Sequence, residues 1–395
     1  GNQLRSALVV GEVAMTIVLL AGAILVLRSF VNLRQVQLGF DPHHVLSMQL
    51  RLTGQQYRDV AARRAFFNQL IERLESQPGV LAASGVLIRP LEGTVGWDFD
   101  YAVENQAADD ARKNPTSNYE SVTPHYFRTF AIPLKAGREF DAHDNADNSP
   151  VAIVSETMAA RFFGSPAAAI GKRIKLAPDD ADQPWRIIVG VAGDVRYREL
   201  QTTRLDVYVP HAQSTQSLNH FAVRTDLDQP QALAIVRREV AAIDPHQAIS
   251  RIASMDELAA AQLARPRFNA VLLNWLAALA MLLAALGIFG VMAYAVAQRT
   301  SELGVRIALG AQRGNILALV MGQGMKLTLL GILLGMAAAA FVTRWLGSLL
   351  FGVSATDPLT FLLIALLPAT IALLACWLPA RRATRVDPLV ALRYE

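Results

Sequence analysis

Three short stretches hold residue types that can do chemistry. GSPAAAIGK, Gly164 to Lys172, sets two glycines and a lysine where a phosphate-cradling loop could form. Its spacing fails that chemistry. Six residues separate Gly164 from Gly171 where the motif has four, and Arg173 follows Lys172 where a serine or threonine must reach magnesium. A structural turn is expected, so any ATP hydrolysis must come from another polypeptide. DPHH and DPHQ place His43, His44 and His246 beside Asp-Pro pairs, but no second cluster has metal-ligand spacing with them, and solvated turns are expected. Ser155-Glu156 and Asp194 supply no nucleophile-base arrangement. No catalytic residue, cofactor or metal site is therefore expected, and an ectoenzyme is the weakest of the functional classes.

Charge inside apolar runs is costly in hydrocarbon and marks contacts or water. Glu12 lies near the start of one such run and Lys326, with Gln323, lies within another. Lys326 reads as deep enough for an interhelical contact, whereas Glu12 can reach the membrane interface by snorkelling; use of either by a transported proton or ion is the less favoured reading. Gly331 and Gly335 form a small-xxx-small pair that permits close helix packing, or are simply the glycines common in membrane helices.

The elements that carry these residues follow from hydropathy. Of 395 residues, 53% are hydrophobic and 18% charged, with a mean hydropathy of +0.29, which points to a bilayer protein. Four runs reach the roughly 20 apolar residues needed to span about 30 Å of hydrocarbon: 8–27, 268–297, 316–341 and 360–379. The first lacks a clear cleavage site and reads as a retained anchor. Between the first two runs, 28–267 has the composition of a water-soluble domain. The net charge of +4 is not gathered into a basic face, which argues against nucleic acid. Cations follow topology instead: Arg5; Arg299, Arg306 and Arg313; then Arg381, Arg382, Arg385 and Arg393. The positive-inside rule puts 1–7, the 298–315 loop and 380–395 in the cytoplasm, and 28–267 and the 342–359 loop outside it. The expected fold is therefore a membrane protein of four helices, one plus three, with a large α+β extracytoplasmic domain of two lobes between helices one and two. The lone cysteine, Cys376, falls in the fourth span, so the domain must be held by its own core.

Inside that domain VLSMQLRL (45–52) alternates as a half-buried strand should, and a helix follows over 57–77. HFAVRT (220–225), a helix over about 230–243 and AISRIASM (248–255) repeat the pattern, and the two pieces could pair as one module. Short β-branched runs, SPVAIVSE, KRIKL and WRIIVGVAGDVR, suggest a smaller inserted lobe at about 118–210, with connectors at 107–115 and 141–149.

SELGVRIALGAQRGNIL (301–317) joins the second and third spans. With Ser301 as cap, Glu302 and Arg306 stand at i and i+4 with the acid first, the stabilising order, and Gly310 would end the helix. Leu303 with Ile307 and Val305 with Leu309 give this short helix more apolar surface than a connector needs. It either docks a protein or lies flat on the membrane.

That segment, with GVSATDPLTF and LPARRATRVDPLVALRYE, resembles the FtsX and MacB-like permease family of ABC transporters. LRSFVNLRQVQLGFDPHHVLSMQL and WRIIVGVAGDVRYREL resemble the family's external region, in particular one half of its duplicated permeases. The resemblance implies a non-catalytic permease that dimerises or pairs with a second permease unit. An ABC-type ATPase subunit would dock on the cytoplasmic loop, and nucleotide-driven closure would move a periplasmic domain with a MacB-like core. By matching positions the ATPase-facing loop contains Ser301, Glu302, Gly304, Arg306, Ala308, Gly310 and Arg313, and the C-terminal motif Pro379, Ala380, Arg381, Arg382, Ala383, Asp387 and Pro388. Asp387 also reads as a helix N-cap with Pro388 at the first position. A periplasmic adaptor is a further candidate partner beside the lipid bilayer. The function implied is efflux or extraction of an envelope substrate; the alternative is an FtsX-like regulator that activates a cell-envelope enzyme.

Overall fold

Leu8 to Leu27 contains no proline and one charge, so nothing interrupts a helix there. In the computed structural model it lies within α1 (Asn2–Arg34). The structure describes residues 2–93, 96–300, 302, 305, 306, 309, 312–346, 350–353 and 358–384. They divide into two units, 36–262 on one side and 1–35 with 263–395 on the other.

The unit 36–262 begins with β1 (Val45–Gln49), α2 (Val60–Glu75) and β2 (Val80–Val86). Asp59 caps α2 by accepting from the Ala61 amide, and Phe66, Phe67, Leu70, Ile71 and Leu74 form its buried stripe. Its middle holds β3 (Trp97–Phe99), β4 (Tyr101–Val103), α3 (Ala108–Ala111), β5 (Ser117–Val122), α4 (Tyr126–Phe130), β6 (Leu134–Gly137) and β7 (Val151–Ser155). Then come α5 (Glu156–Phe163), α6 (Pro166–Ala169), β8 (Arg173–Leu176), β9 (Trp185–Ala192) and β10 (Leu205–Pro210). It closes with β11 (His220–Thr225), α7 (Gln229–Ile243) and β12 (Ser250–Ser254).

As the repeated pattern suggested, the two strand-helix-strand pieces interleave, with β11 antiparallel to both β1 and β2 and β12 antiparallel to β1. One sheet runs β12-β1-β11-β2-β5-β10-β7-β9-β8-β4, with β3 on β5 and β6 on β9. Two separate cores lie on it. Met48, Phe67, Leu70, Phe221 and Val236 belong to one, and Tyr101, Met158, Ile174, Ile188 and Val207 to the other. They define two lobes, and each fully buried Leu, Ile or Phe adds roughly 1.5–3 kcal/mol. β2 meets β5 at one residue pair, Val86 with Val122, flanked by hydrogen bonds between Gly85 and Thr123.

Four details depart from the sequence reading. β1 is buried on both faces, because the Arg89 guanidinium, itself buried, covers Ser47 at 3.4 Å. The connector 107–115 contains α3, and Asn114 Nδ2 ties it to the Tyr101 carbonyl at 3.0 Å. The connector 141–149 is likewise anchored: Asp144 is buried and accepts from both Arg138 Nη atoms at 2.7 and 2.8 Å. β3 and β4, upstream of Asn118, also pair into the smaller lobe's part of the sheet.

α8 (Met255–Gln298) begins directly after β12, and from residue 263 on it belongs to the other unit with α1, α9 (Arg313–Leu346) and α10 (Pro358–Ala383). Among the described residues four helices are long and apolar enough to cross a membrane. α1 lies along α9 at the two glycines: a Cβ on Gly331 would stand 2.7 Å from Val13 Cβ, and one on Gly335 2.6 Å from Ile17 Cβ. Their absence of side chains is thus used for close backbone approach. Ile17 and Ala21 are fully buried there, while Trp275, Phe341 and Trp345 face outward, as lipid-facing side chains do.

These contacts also fix relative depth. Since Gly331 stands beside Val10 and Val13, five residues back along α9, about 7.5 Å, brings Lys326 level with residues 5–8, the start of α1. Lys326 is exposed on its helix. It therefore sits at the cytoplasmic margin of the bundle and makes no deep interhelical contact among the described residues, contrary to the reading from its position in the apolar run. Glu12 is the more inward of the two, with its carboxylate against Gly287 of α8.

Candidate coupling site and the polar core of the external domain

The charge pattern of the 298–315 loop acts locally first. Glu302, Val305 and Arg306 have helical backbone, and the Leu309 amide donates to the Val305 carbonyl at 2.9 Å. Arg306 Nη2 donates to Glu302 Oε1 at 2.7 Å, and Arg299 Nε lies 4.0 Å from Glu302 Oε2. Both partners of the closer pair are about half exposed, so the pair adds only about 0.3–0.5 kcal/mol to stability. Beside it Val305 and Leu309, one turn apart, are 41% and 83% exposed. Two apolar side chains in water, rimmed by an ion pair, can contact a protein surface. Ser301, Leu303, Gly304, Ile307, Ala308 and Gly310 lie outside the described residues, and Arg313 is placed only as the first residue of α9.

In the C-terminal motif Pro379 lies inside α10, Ala380 is buried, Arg381 stacks over the Trp377 ring at 5.2 Å and Arg382 is exposed. Asp387 and Pro388 lie outside the described residues. The structure does not bring Glu12 and Lys326 to one level.

Residues tested above for catalysis serve as turns and caps. Gly164 ends α5 at φ +83° and Ser165 Oγ caps α6 on the Ala168 amide. Asp41 and Asp244 accept from the amides of His43 and His246. Ser155 Oγ accepts from the Asp206 amide at 3.1 Å. Among the described residues no three His, Cys, Asp or Glu side chains converge to hold a metal ion.

Sequence reasoning missed two polar clusters in the external domain. On neighbouring parallel strands β5 and β10, Asn118 Nδ2 donates to Asp206 Oδ1 at 3.1 Å, while Arg198 Nη2 donates to Asn118 Oδ1 at 3.1 Å. Glu120 shares that buried face, accepting from the Ile88 amide at 3.0 Å. Burial pushes the Asp206 carboxyl up to about 8, helped by Asp194, and raises Glu120 well above the carboxylate range. The tyrosines Tyr126 and Tyr197 join hydroxyls at 2.6 Å beside Tyr208. In the second cluster Glu92 receives Arg89 at 2.6 Å and Arg251, with His220 Nε2 at 3.7 Å; His220 and Arg89 hold its carboxyl at about 2. That cluster sits where β12 turns into α8: Arg89 also reaches the Arg251 carbonyl at 3.0 Å, and Gln262 donates to the Leu91 carbonyl at 3.1 Å. The one signal for the first cluster was WRIIVGVAGDVRYREL, a mixed polar run whose Asp194 caps α5 on Thr157 and whose Arg198 anchors β5.

A helix, a folded α+β domain and three more helices define a multi-pass membrane protein with an extracytoplasmic domain. Its residues 7–243 match the MacB-like periplasmic core domain and 274–388 the FtsX-like permease C-terminal domain, so the chain belongs to the MacB- and FtsX-like ABC transporter permease family. It is 25% identical over 287 residues to the macrolide export ATP-binding/permease protein MacB of Salmonella paratyphi A, covering 70% of this chain and 43% of that one. The chain thus spans under half the length of such relatives. It is 25% identical over 343 residues to an uncharacterized ABC transporter permease, YknZ, of Bacillus subtilis, covering 82% of this chain and 83% of that one. Among solved structures, the periplasmic region of MacB from Actinobacillus actinomycetemcomitans aligns with 56% of this chain and 92% of that chain, at 13% identity and a TM-score of 0.38.

Proposed function

We propose that this chain is a non-catalytic permease subunit that couples ATP hydrolysis by a separate ABC-type ATPase to movement of its extracytoplasmic domain, for efflux or extraction of an envelope substrate. The observation that carries this reading is the exposed Glu302–Arg306 pair beside exposed Val305 and Leu309, on helical backbone between two membrane helices. In this reading 298–315 is the ATPase-docking loop, with Ser301, Gly304, Ala308, Gly310 and Arg313 completing it, and the C-terminal motif lies on the same side. Support comes from α8, which holds Pro266 within it and ends at Gln298, where the loop begins. The relatives' names add ATP binding and macrolide export. A second permease unit and a periplasmic adaptor complete the assembly.

The test is crosslinking from Val305 and Leu309 in native membranes, with mass spectrometry of the attached chain. Recovery of an ABC-type ATPase is expected; an unprotected loop together with capture of an envelope hydrolase by the external domain would replace this reading with the regulatory one.

A further inference from the structure

A groove of about 650 Å³ runs between α1 and α8 in the membrane unit, walled by Ala7, Gly11, Thr16 and Leu19 on one side and Ala280 and Leu283 on the other. That volume lies within the roughly 300–1,000 Å³ of sites for small organic ligands. Gly11 gives it depth, since a Cβ there would meet nothing within 4 Å, and Ala7 is exposed. The wall carries one charge, Glu12.

Nothing on the wall offsets that charge. The Thr16 hydroxyl is directed to backbone, to the Glu12 carbonyl at 2.8 Å and the Ala280 carbonyl at 3.2 Å. Glu12 Oε2 lies over Gly287, which has no side chain to donate. Arg5, nearest along the helix, stacks on Tyr294 with its guanidinium carbon 4.1 Å from the ring centroid. Among the described residues the Glu12 carboxylate has no hydrogen-bond or ion-pair partner. A carboxylate inside a bilayer is stabilised by water or by a cation, and an apolar groove around it selects a cation with an apolar body.

We infer that this groove binds a lipophilic monocation, its charge at Glu12 and its apolar part along Ala7, Gly11, Leu19 and Leu283. An amphiphilic amine carries that chemistry; an aminophospholipid, whose phosphate cancels its ammonium and finds no cation on this wall, does not. The inference is independent of ATPase coupling, because binding requires no nucleotide.

The test uses the full chain in phosphatidylglycerol nanodiscs, titrated with tetraphenylphosphonium and, as a size-matched anion, tetraphenylborate. Saturable binding of the cation alone is expected. Glu12→Gln should weaken it at least about tenfold, the loss of one charge-assisted contact in a low dielectric. Ala7→Trp, which fills the groove and keeps the acid, should weaken it as well. Added phosphatidylethanolamine, a net-neutral zwitterion, should not compete; competition by it would give the groove to a resident lipid and overturn the inference. Equal affinity in all three proteins overturns the inference. So does disulfide formation between two Ala7→Cys copies that tetraphenylphosphonium leaves unchanged, because a second copy would then occupy the groove.

Discussion

Arg198 holds Asp98 with both arms of its guanidinium, Nη1 to Oδ2 at 3.0 Å and Nη2 to Oδ1 at 2.5 Å, and the arginine side chain is only 7% exposed. The planar fork of arginine fits a carboxylate in two places at once, which an ammonium group cannot do. The pair fastens the segment after β9 to β3, and through Asn118 to β5.

Replacing Arg198 with alanine leaves Asp98 with only the longer contacts to Arg204, at 3.4 and 3.5 Å, and empties a buried space. Because Asp98 is 35% exposed and keeps Arg204, the loss costs about 1–3 kcal/mol, the range for breaking a charge-assisted hydrogen bond. Faster hydrogen exchange in 97–99, 117–122 and 193–204 of the full-length protein is the expected readout, with Arg198→Lys restoring only part of the protection.

The pH dependence follows from Asp206. Its carboxyl rests at about 8 in the fold against an ordinary 3.8, so the folded state holds a proton that the unfolded state releases between those values. Its contribution to stability is full below 3.8 and is lost as pH rises toward 8. Asp206→Asn cannot ionise and keeps an acceptor for Asn118. Urea unfolding of the two proteins at pH 5 and pH 8 should show the variant gaining on the wild type at the higher pH; a constant difference would assign the raised value to another group.

Gly335 tests the membrane unit. An alanine there would place its Cβ 2.6 Å from Ile17 Cβ and 2.9 Å from the Ala14 carbonyl oxygen, and a backbone neighbour cannot swing aside. Overpacking of this kind costs about 1–3 kcal/mol. Lower thermal stability in detergent is expected for Gly335→Ala, with Gly322→Ala, at a site where a Cβ meets nothing within 4 Å, unaffected.

At the loop, stability and coupling should separate. Because the Glu302–Arg306 pair is half exposed, Glu302→Arg changes stability by less than about 1 kcal/mol and leaves membrane insertion intact. Stimulation of the partner ATPase is expected to fall, and Glu302→Arg combined with Arg306→Glu, which keeps the pair but reverses its order along the helix, should recover part of it.

Long-period features were legible in the sequence. Helix 8–27 could be read because nothing charged but Glu12 interrupts it, and α2 because its apolar residues recur at helical spacing. Glu302 and Arg306 were legible because an i, i+4 pair needs only local geometry. The buried Arg198–Asn118–Asp206 chain was not, since its members are up to 88 positions apart and meet only once β5 lies parallel to β10. Lys326 was misplaced for a related reason: apolar runs give the length of a helix, while depth depends on which residues of a neighbour it touches.

The meeting of β2 and β5 has a mechanical meaning. β5 shares six successive residue pairs with β10, from Leu205 with Ser117 to Pro210 with Val122, but only Val86 with Val122 joins it to β2. The seam between the two ladders is therefore narrow, extended beyond that pair by Gly85 with Thr123, by the Leu87 amide on the Ser121 carbonyl at 2.9 Å and by the Ile88 amide on Glu120 at 3.0 Å. Side chains cross that seam as well: α4 packs on β2, while its buried Tyr126 and Phe127 rings lie 5.9 and 5.1 Å from the Tyr208 ring of β10, so an angular displacement of one lobe against the other must shear these rings as well as part the backbone pair.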